Sequence, residues 1–108
     1  MPGANVGGFN WTHITTATTT TIFSGVGASQ ASATSPANTG VLQDVVVNTL
    51  GTTPVISVYD APTAVAANLI AVITPVANGN QFGSPIQLKA GLTIVTTGSG
   101  FDITVLWA

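Results

Sequence analysis

The chain has 108 residues, one basic side chain, three acidic ones and no cysteine, for a net charge of −2. That length gives room for one domain with one core and excludes a second, catalytic domain; the missing cysteines exclude disulfides and thiolate metal sites. With Lys89 as the sole Lys or Arg, the charge that neutralises phosphates is absent, so nucleic acid is not an expected partner.

Apolar residues make up 45% of the chain, an ordinary share, whereas 4% charged residues stand against a norm of roughly 25%. The polar positions carry Thr, Ser, Asn and Gln instead. A charged surface is the usual means of keeping a domain soluble and solitary, so this hydroxyl-rich surface is expected to be covered by a neighbour. The apolar runs from Val41 to Val47 and from Leu69 to Val76 are broken by Gln43, Asp44, Thr74 and Pro75. Both fall well short of the about 18 continuous apolar residues of a membrane helix, and no membrane partner is expected. The opening MPGANVGGFN has neither a basic start nor an apolar signal core, which predicts cytosolic synthesis. Asn10-Trp11-Thr12 fits the glycosylation acceptor pattern and is read as coincidence.

Residues 1–14 are Gly-rich with late aromatics, Phe9 and Trp11, and read as an extended arm anchored by something else; residues 15–108 form the expected single domain. From Thr15 to Phe23 the density of β-branched residues predicts a strand. The small, polar stretch from Gly25 to Gly40 has nothing to bury and predicts a long loop that meets a partner. Val41 to Thr49 and Pro54 to Asp60 read as two strands joined in a hairpin around Leu50-Gly51-Thr52-Thr53. Alternation places Val41, Gln43, Val45 and Val47 on one face of the first of these and Leu42, Asp44 and Val46 on the other. With both faces largely apolar, it should be a central strand.

Further strands are expected at Leu69 to Thr74 and Ile86 to Lys89. Leu92 to Thr97 and Phe101 to Trp107 flank Gly98-Ser99, which suits a type II′ hairpin turn. Phe101, Ile103, Val105 and Trp107 alternate with Asp102, Thr104 and Leu106 and should line the core. Short antiparallel strands with turns about every eight to twelve residues predict an all-β fold, an antiparallel β-sandwich of jelly-roll-like type, with a small barrel as the competing architecture.

The reactive inventory is short: His13, Asp44, Asp60, Asp102, Lys89, Tyr59 and hydroxyls. A Ser-His-Asp hydrolase would need His13 oriented by an Asp beside an activated Ser, yet no Ser sits in a Gly-x-Ser-x-Gly turn. The chain is therefore not expected to be an enzyme or to carry a cofactor. Asp44 and Asp60, on strands read as hairpin partners, could share calcium, but such sites usually gather several acidic oxygens in one loop. Each is instead expected to bind water or a backbone donor, and no metal is assigned. An ice-binding array of Thr rungs would need a repeat that is missing. Trp11 is read either as a core anchor or as a subunit anchor, since aromatics are enriched at interface centres.

Four segments carry a family likeness: W-x-x-I-T-x-x-T-T-T from Trp11 to Thr20, a Val-rich strand ending in Val-Asn-Thr from Val45 to Thr49, I-x-V-Y-D from Ile56 to Asp60, and G-L-T-x-V-x-T-G from Gly91 to Gly98. In these the chain resembles small structural proteins of tailed bacteriophages. The resemblance implies a virion component on the outer surface of the capsid, a head decoration or cement protein similar to small β-sandwich proteins that cap capsids as trimers. Its implied partners are itself, as a homotrimer, and the major capsid protein. The expected contact residues are Phe9, Trp11, Thr15, Thr18, Thr20 and Phe23. A tail or fibre module is the alternative within virions, and a carbohydrate-binding sandwich stacking sugar on Trp11 or Tyr59 is the alternative outside them.

Overall fold

The computed structural model describes residues 10–26 and 40–108. Nine strands form in chain order: β1 (Asn10–Ile14), β2 (Thr18–Phe23), β3 (Val41–Thr49), β4 (Thr52–Tyr59), β5 (Leu69–Ile73), β6 (Gly79–Asn80), β7 (Ile86–Gln87), β8 (Leu92–Ser99) and β9 (Asp102–Trp107), with one 3₁₀ turn at Ala66–Asn68. They make two antiparallel sheets. The first runs β1-β9-β3-β6, with β7 also on β3, and the second runs β2-β8-β4-β5. The fold is all-β and sandwich-like, as the alternation and turn spacing predict.

The two sheets repeat one order, β1-β9-β3 and β2-β8-β4, because three long segments each pass through both. Residues 41–59 pair along 92–107 in one antiparallel ribbon: Val45 faces Val105 and Val47 faces Ile103 in the first sheet. Past the corner, Thr52 faces Ser99 and Val58 faces Ile94 in the second. Residues 10–23 line the other side of the same ribbon, with Thr12 opposite Val105 and Thr20 opposite Ile94.

This corrects both expected hairpins. Around Gly51 and around Gly98-Ser99 the chain does not turn back on itself; it crosses from one sheet to the other, and the two crossings lie against each other. A methyl group on Gly51, whose φ is +67°, would stand 2.3 Å from the Ser99 carbonyl oxygen, and one on Gly98 would stand 2.8 Å from the carbonyls of Thr52 and Thr53. Glycine is needed there because two backbones touch at a corner, a requirement that looks like turn chemistry in the sequence.

The core lies between the sheets. Ile14, Leu42, Val45, Val47, Ile103, Val105 and Trp107 come from the first and Phe23, Ile56, Val58, Leu92 and Ile94 from the second. The rings of Phe23 and Trp107 meet across the gap with centroids 5.5 Å apart and planes tilted by 45°, and the indole N–H of Trp107 donates to Thr12 Oγ1 at 3.1 Å. The alternation of β9 holds as expected, with Phe101, Ile103, Val105 and Trp107 all buried. Central placement of β3 also holds, but its faces do not. Leu42 pairs with Trp107 and Asp44 with the adjacent Leu106, so Gln43 is an extra residue at a bulge. The bulge swings Leu42 to the same side as Val45 and Val47, and all three are buried.

Residues 10–14, expected as the end of an arm, form edge strand β1, whose Ile14 is buried in the chain's own core. The rest of the expected arm, with Phe9, and most of the expected 25–40 loop lie outside the described residues.

Gly51→Ala is expected to cost about 2–4 kcal/mol, since it adds left-handed strain and a backbone clash at the corner. Gly83→Ala, where a methyl would meet nothing within 4 Å, should change stability by less than about 1 kcal/mol. Urea denaturation of both variants checks the difference.

Candidate functional site

The few charged groups are placed first, because each has a defined task. Asp44, buried in the bulged part of β3, accepts at Oδ1 from the backbone N–H groups of Val45 (2.8 Å), Gln81 (3.2 Å) and Phe82 (2.9 Å), and at Oδ2 from the side-chain amide of Asn80. It pins the 80–82 segment onto the first sheet. Asp60, at the end of β4, accepts from the N–H groups of Lys89 (2.9 Å), Ala90 (2.8 Å) and Gly91 (3.3 Å). Partial burial pushes its carboxyl upward, but the amides of Ala90, Lys89 and Gly91 and the Lys89 charge outweigh this and hold it below the usual carboxylate value. The two aspartates are not hairpin neighbours: one serves each sheet. No group of three or more His, Cys, Asp or Glu that could hold a metal occurs among the described residues.

Threonine hydroxyls take over much of the remaining polar work. Thr93 and Thr96 on β8 are buried. Thr93 Oγ1 donates to the Ala61 carbonyl at 2.8 Å, and Thr96 Oγ1 donates to the Thr16 carbonyl at 2.9 Å while accepting from the Thr18 N–H at 3.1 Å. Thr21 Oγ1 donates to the Pro62 carbonyl at 3.0 Å. A short side chain that both donates and accepts can close backbone gaps inside a sandwich at less desolvation cost than a charge.

Two outward faces remain. On the second sheet the register sets Thr19, Val95, Ser57 and Val72 in one row, and none of the four Asp or Lys side chains stands on its strands. Its edge strand β5 is LIAVI, with Leu69, Ile70 and Val72 exposed at 42%, 41% and 54%; among the described residues it pairs only with β4. On the first sheet the register sets Trp11 beside Leu106 and His13 beside Thr104. His13 Nε2 lies 2.6 Å from Asp102 Oδ1, and the Asn48 amide donates to Asp102 Oδ1 and to Thr104 Oγ1, both at 3.0 Å. The bonds from Asn48 and then from His13 hold the Asp102 carboxyl below its usual value.

The expected contact residues therefore do not form one patch. Trp11 is 68% exposed on the face of the first sheet, while Thr15 and Thr18 are exposed and Thr20 half-buried along the β2 edge of the second. Phe23 is buried against Trp107 inside its own chain. His13 does meet a carboxylate, as the triad geometry would ask, but its described neighbours supply no serine, and the pair sits on an open sheet face. Asn48, Thr104 and Leu106, which complete the surroundings of Trp11, were not singled out from sequence. The alternation of β9 already set Thr104 and Leu106 outward; the missing signal was the pairing of β1 with β9.

Neither a scan against protein-family models nor comparison with curated proteins and solved structures finds a match to this chain.

Asp44→Ala should destabilise the fold by about 2–4 kcal/mol, because three amide donors and Asn80 lose a charged acceptor in a buried setting. Asp44→Asn should recover only part of this, since its amide nitrogen would oppose the Asn80 donor; chemical denaturation of both tests the assignment. The lowered carboxyls of Asp60 and Asp102 mean that the unfolded chain takes up protons before the folded one. Stability should be level above the usual carboxylate range, then fall as pH drops through that range toward the lowered native values. Asp60→Asn should flatten this acid limb, read as the pH dependence of the urea midpoint.

Proposed function

We propose that this chain is a non-enzymatic structural protein of a phage virion, a decoration or cement protein that self-associates, as a homotrimer, and binds neighbouring capsomers on the outer capsid surface. Under this reading the corner-turning ribbon is a jelly-roll-like sandwich. One observation carries the surface argument: the outward face and the β5 edge of the second sheet combine exposed aliphatic side chains with hydroxyls and bear no charge. An exposed, apolar edge strand is a template for another strand, and solitary proteins blunt such edges with Lys, Pro or bulges. Here β5 carries a bulge at Ile70 near one end but no Lys or Pro, and the weak net charge of −2 opposes self-association little. Strand addition at such an edge supplies main-chain hydrogen bonds, and repetition of modest contacts over a shell supplies avidity. The virion assignment itself rests on the family likeness of the four motif segments, and the threonine edge of β2, with Thr15, Thr18 and Thr20, is the second contact line it proposes.

Sedimentation equilibrium should give the mass of an oligomer, and electron-microscopic labelling of the phage that encodes the chain should mark heads. Ile70→Lys with Val72→Lys should reduce self-association and head binding at least tenfold while leaving the thermal midpoint within a few degrees, both positions being exposed. A monomer at high concentration with no affinity for heads overturns the proposal, and labelling confined to tails replaces it with the tail-module reading.

A further inference from the structure

We propose that the outward face of the first sheet, centred on Trp11 with His13, Asn48, Asp102 and Thr104, is a binding site for a neutral sugar ring of a glycan. Once its internal bonds are made, the cluster still has polar atoms left over. A carboxylate only accepts, so His13 Nε2 carries the proton toward Asp102 Oδ1. Asn48 uses its amide nitrogen on Asp102 and Thr104, which leaves its Oδ1 as an acceptor. Asp102 Oδ2 has no partner among the described residues, and its side chain is 35% exposed. The Thr104 oxygen accepts from Asn48, so its O–H is free to donate.

Asn48 Oδ1, Asp102 Oδ2 and the Thr104 hydroxyl therefore offer two acceptors and one donor, held in place by the bonds among His13, Asn48, Asp102 and Thr104. That surplus suits a ligand rich in hydroxyl donors. Two hydroxyls on adjacent carbons can share a carboxylate and an amide oxygen, and the bond to the charged Asp102 is the stronger kind.

Trp11 supplies the other half. It precedes His13 by two residues on the same strand face, about 7 Å along the strand, and its 68% exposure leaves an apolar ring next to the polar cluster. A sugar ring has the same division, with C–H groups on one face and hydroxyls at the rim. An exposed indole is an expensive residue to leave in water, since aromatics carry large apolar area, and none of the described residues covers it. The rival ligand is an organic cation, drawn to an aromatic face and a carboxylate. Cation recognition of that kind uses several rings around the charge, and among the described residues Trp11 is the only aromatic side chain on this face. Phe101 and Trp107 point inward, Phe82 packs against the core, and Phe23 and Tyr59 belong to the other sheet. A neutral sugar fits the single ring and the acceptor surplus better.

This site is distinct from the charge-free face and edges of the second sheet, and it does not depend on the virion reading. It does compete with the use of Trp11 as a subunit anchor, which makes the two separable by experiment.

Neutral oligosaccharides ending in glucose, galactose, mannose or N-acetylglucosamine are titrated into the intact protein, with tetramethylammonium as the cation probe. Binding is read by NMR at the indole N–H of Trp11, the ring of His13 and the side-chain amide of Asn48. At least one sugar should shift these signals saturably and leave the buried Trp107 indole unmoved. Trp11→Ala should lose at least tenfold in affinity and Asp102→Asn several-fold, with sedimentation mass unchanged in both. Trp11→Phe, which keeps a smaller ring, should retain part of the binding and guards against misfolding in the alanine variant. The proposal is overturned if no sugar gives saturable shifts, if Trp11→Ala binds as the parent does, or if tetramethylammonium alone binds. It is equally overturned if Trp11→Ala lowers the oligomer mass, which would assign the ring to a subunit contact.

Discussion

The constraint on which the rest of the structure depends is the contact between two corners, residues 49–53 and 98–101. At that point the central ribbon passes from one sheet to the other, and the two backbones approach so closely that Gly51 and Gly98 have no room for a side chain. Everything on either side follows from keeping the pairing unbroken through the bend. Because residues 41–59 stay paired with 92–107, the order β9-β3 in the first sheet must become β8-β4 in the second. Because residues 10–23 follow the same ribbon, β1 and β2 fall on the same side. A single alternation then points one set of side chains into the gap from both sheets, which is how the described residues obtain a continuous core without an α-helix or a disulfide.

The scarcity of charge is a consequence of this plan as well as a surface property. A ribbon that bends from one sheet into the other leaves backbone carbonyls and amides near the corner and edges without ladder partners, and burial of such groups is costly. Here two of the three aspartates, Asp44 and Asp60, and the threonines Thr93 and Thr96 of β8 are spent on them. Asp44 gathers the amides of residues 81 and 82, Asp60 those of residues 89–91, and Thr93 and Thr96 take carbonyls. The hydroxyl-rich composition thus has two origins. Part of it is internal, closing gaps in the sandwich, and only the remainder, such as Thr15, Thr18 and Thr19, is surface. A reading that assigned the whole excess to a covered exterior overstates the exterior's share.

Local pattern was legible in the sequence wherever a strand's own alternation decided the outcome. The inward face of β9 follows from period-two burial, and the bounds of β3 follow from an apolar run set between Gly40 and Leu50-Gly51. What was not legible was which strand pairs with which. Gly51 and Gly98-Ser99 have the composition of hairpin turns, and nothing local distinguishes a tight reversal from a corner at which another backbone must pass. The bulge at Gln43 was hidden for a similar reason: the extra residue is set by the register against Trp107 and Leu106, some sixty residues distant in sequence. The surroundings of Trp11 suffered most, since residues 10–14 look like an arm until β9 is seen beside them. Of the residues expected to make contacts, Phe23 illustrates the converse error. Its place in a threonine strand suggested a surface role, but the bulge between Thr21 and Phe23 turns it inward to Trp107.

The two faces of the sandwich now carry different chemistry, and the difference has a structural origin. On the second sheet, β8 and β4 present Val95, Val55 and Ser57 outward, and the edge β5 is aliphatic. The loop carrying Ala61 and Pro62 takes the hydroxyls of Thr93 and Thr21, which leaves uncharged hydroxyls such as those of Thr19 and Ser57 as the polar groups of that face. That face can gain free energy only by burial against another surface, in proportion to the apolar area removed from water. On the first sheet the outward positions hold a fixed polar group, in which His13, Asn48, Asp102 and Thr104 restrain one another beside an uncovered indole. Burying that face against a flat protein surface would strip water from a carboxylate whose second oxygen has no partner, a cost that an apolar contact would not return. A ligand with its own hydroxyls replaces that water and avoids the cost. The proposed protein contact at the second sheet and the proposed small polar ligand at the first thus share one physical basis, and they lie on opposite sides of one core.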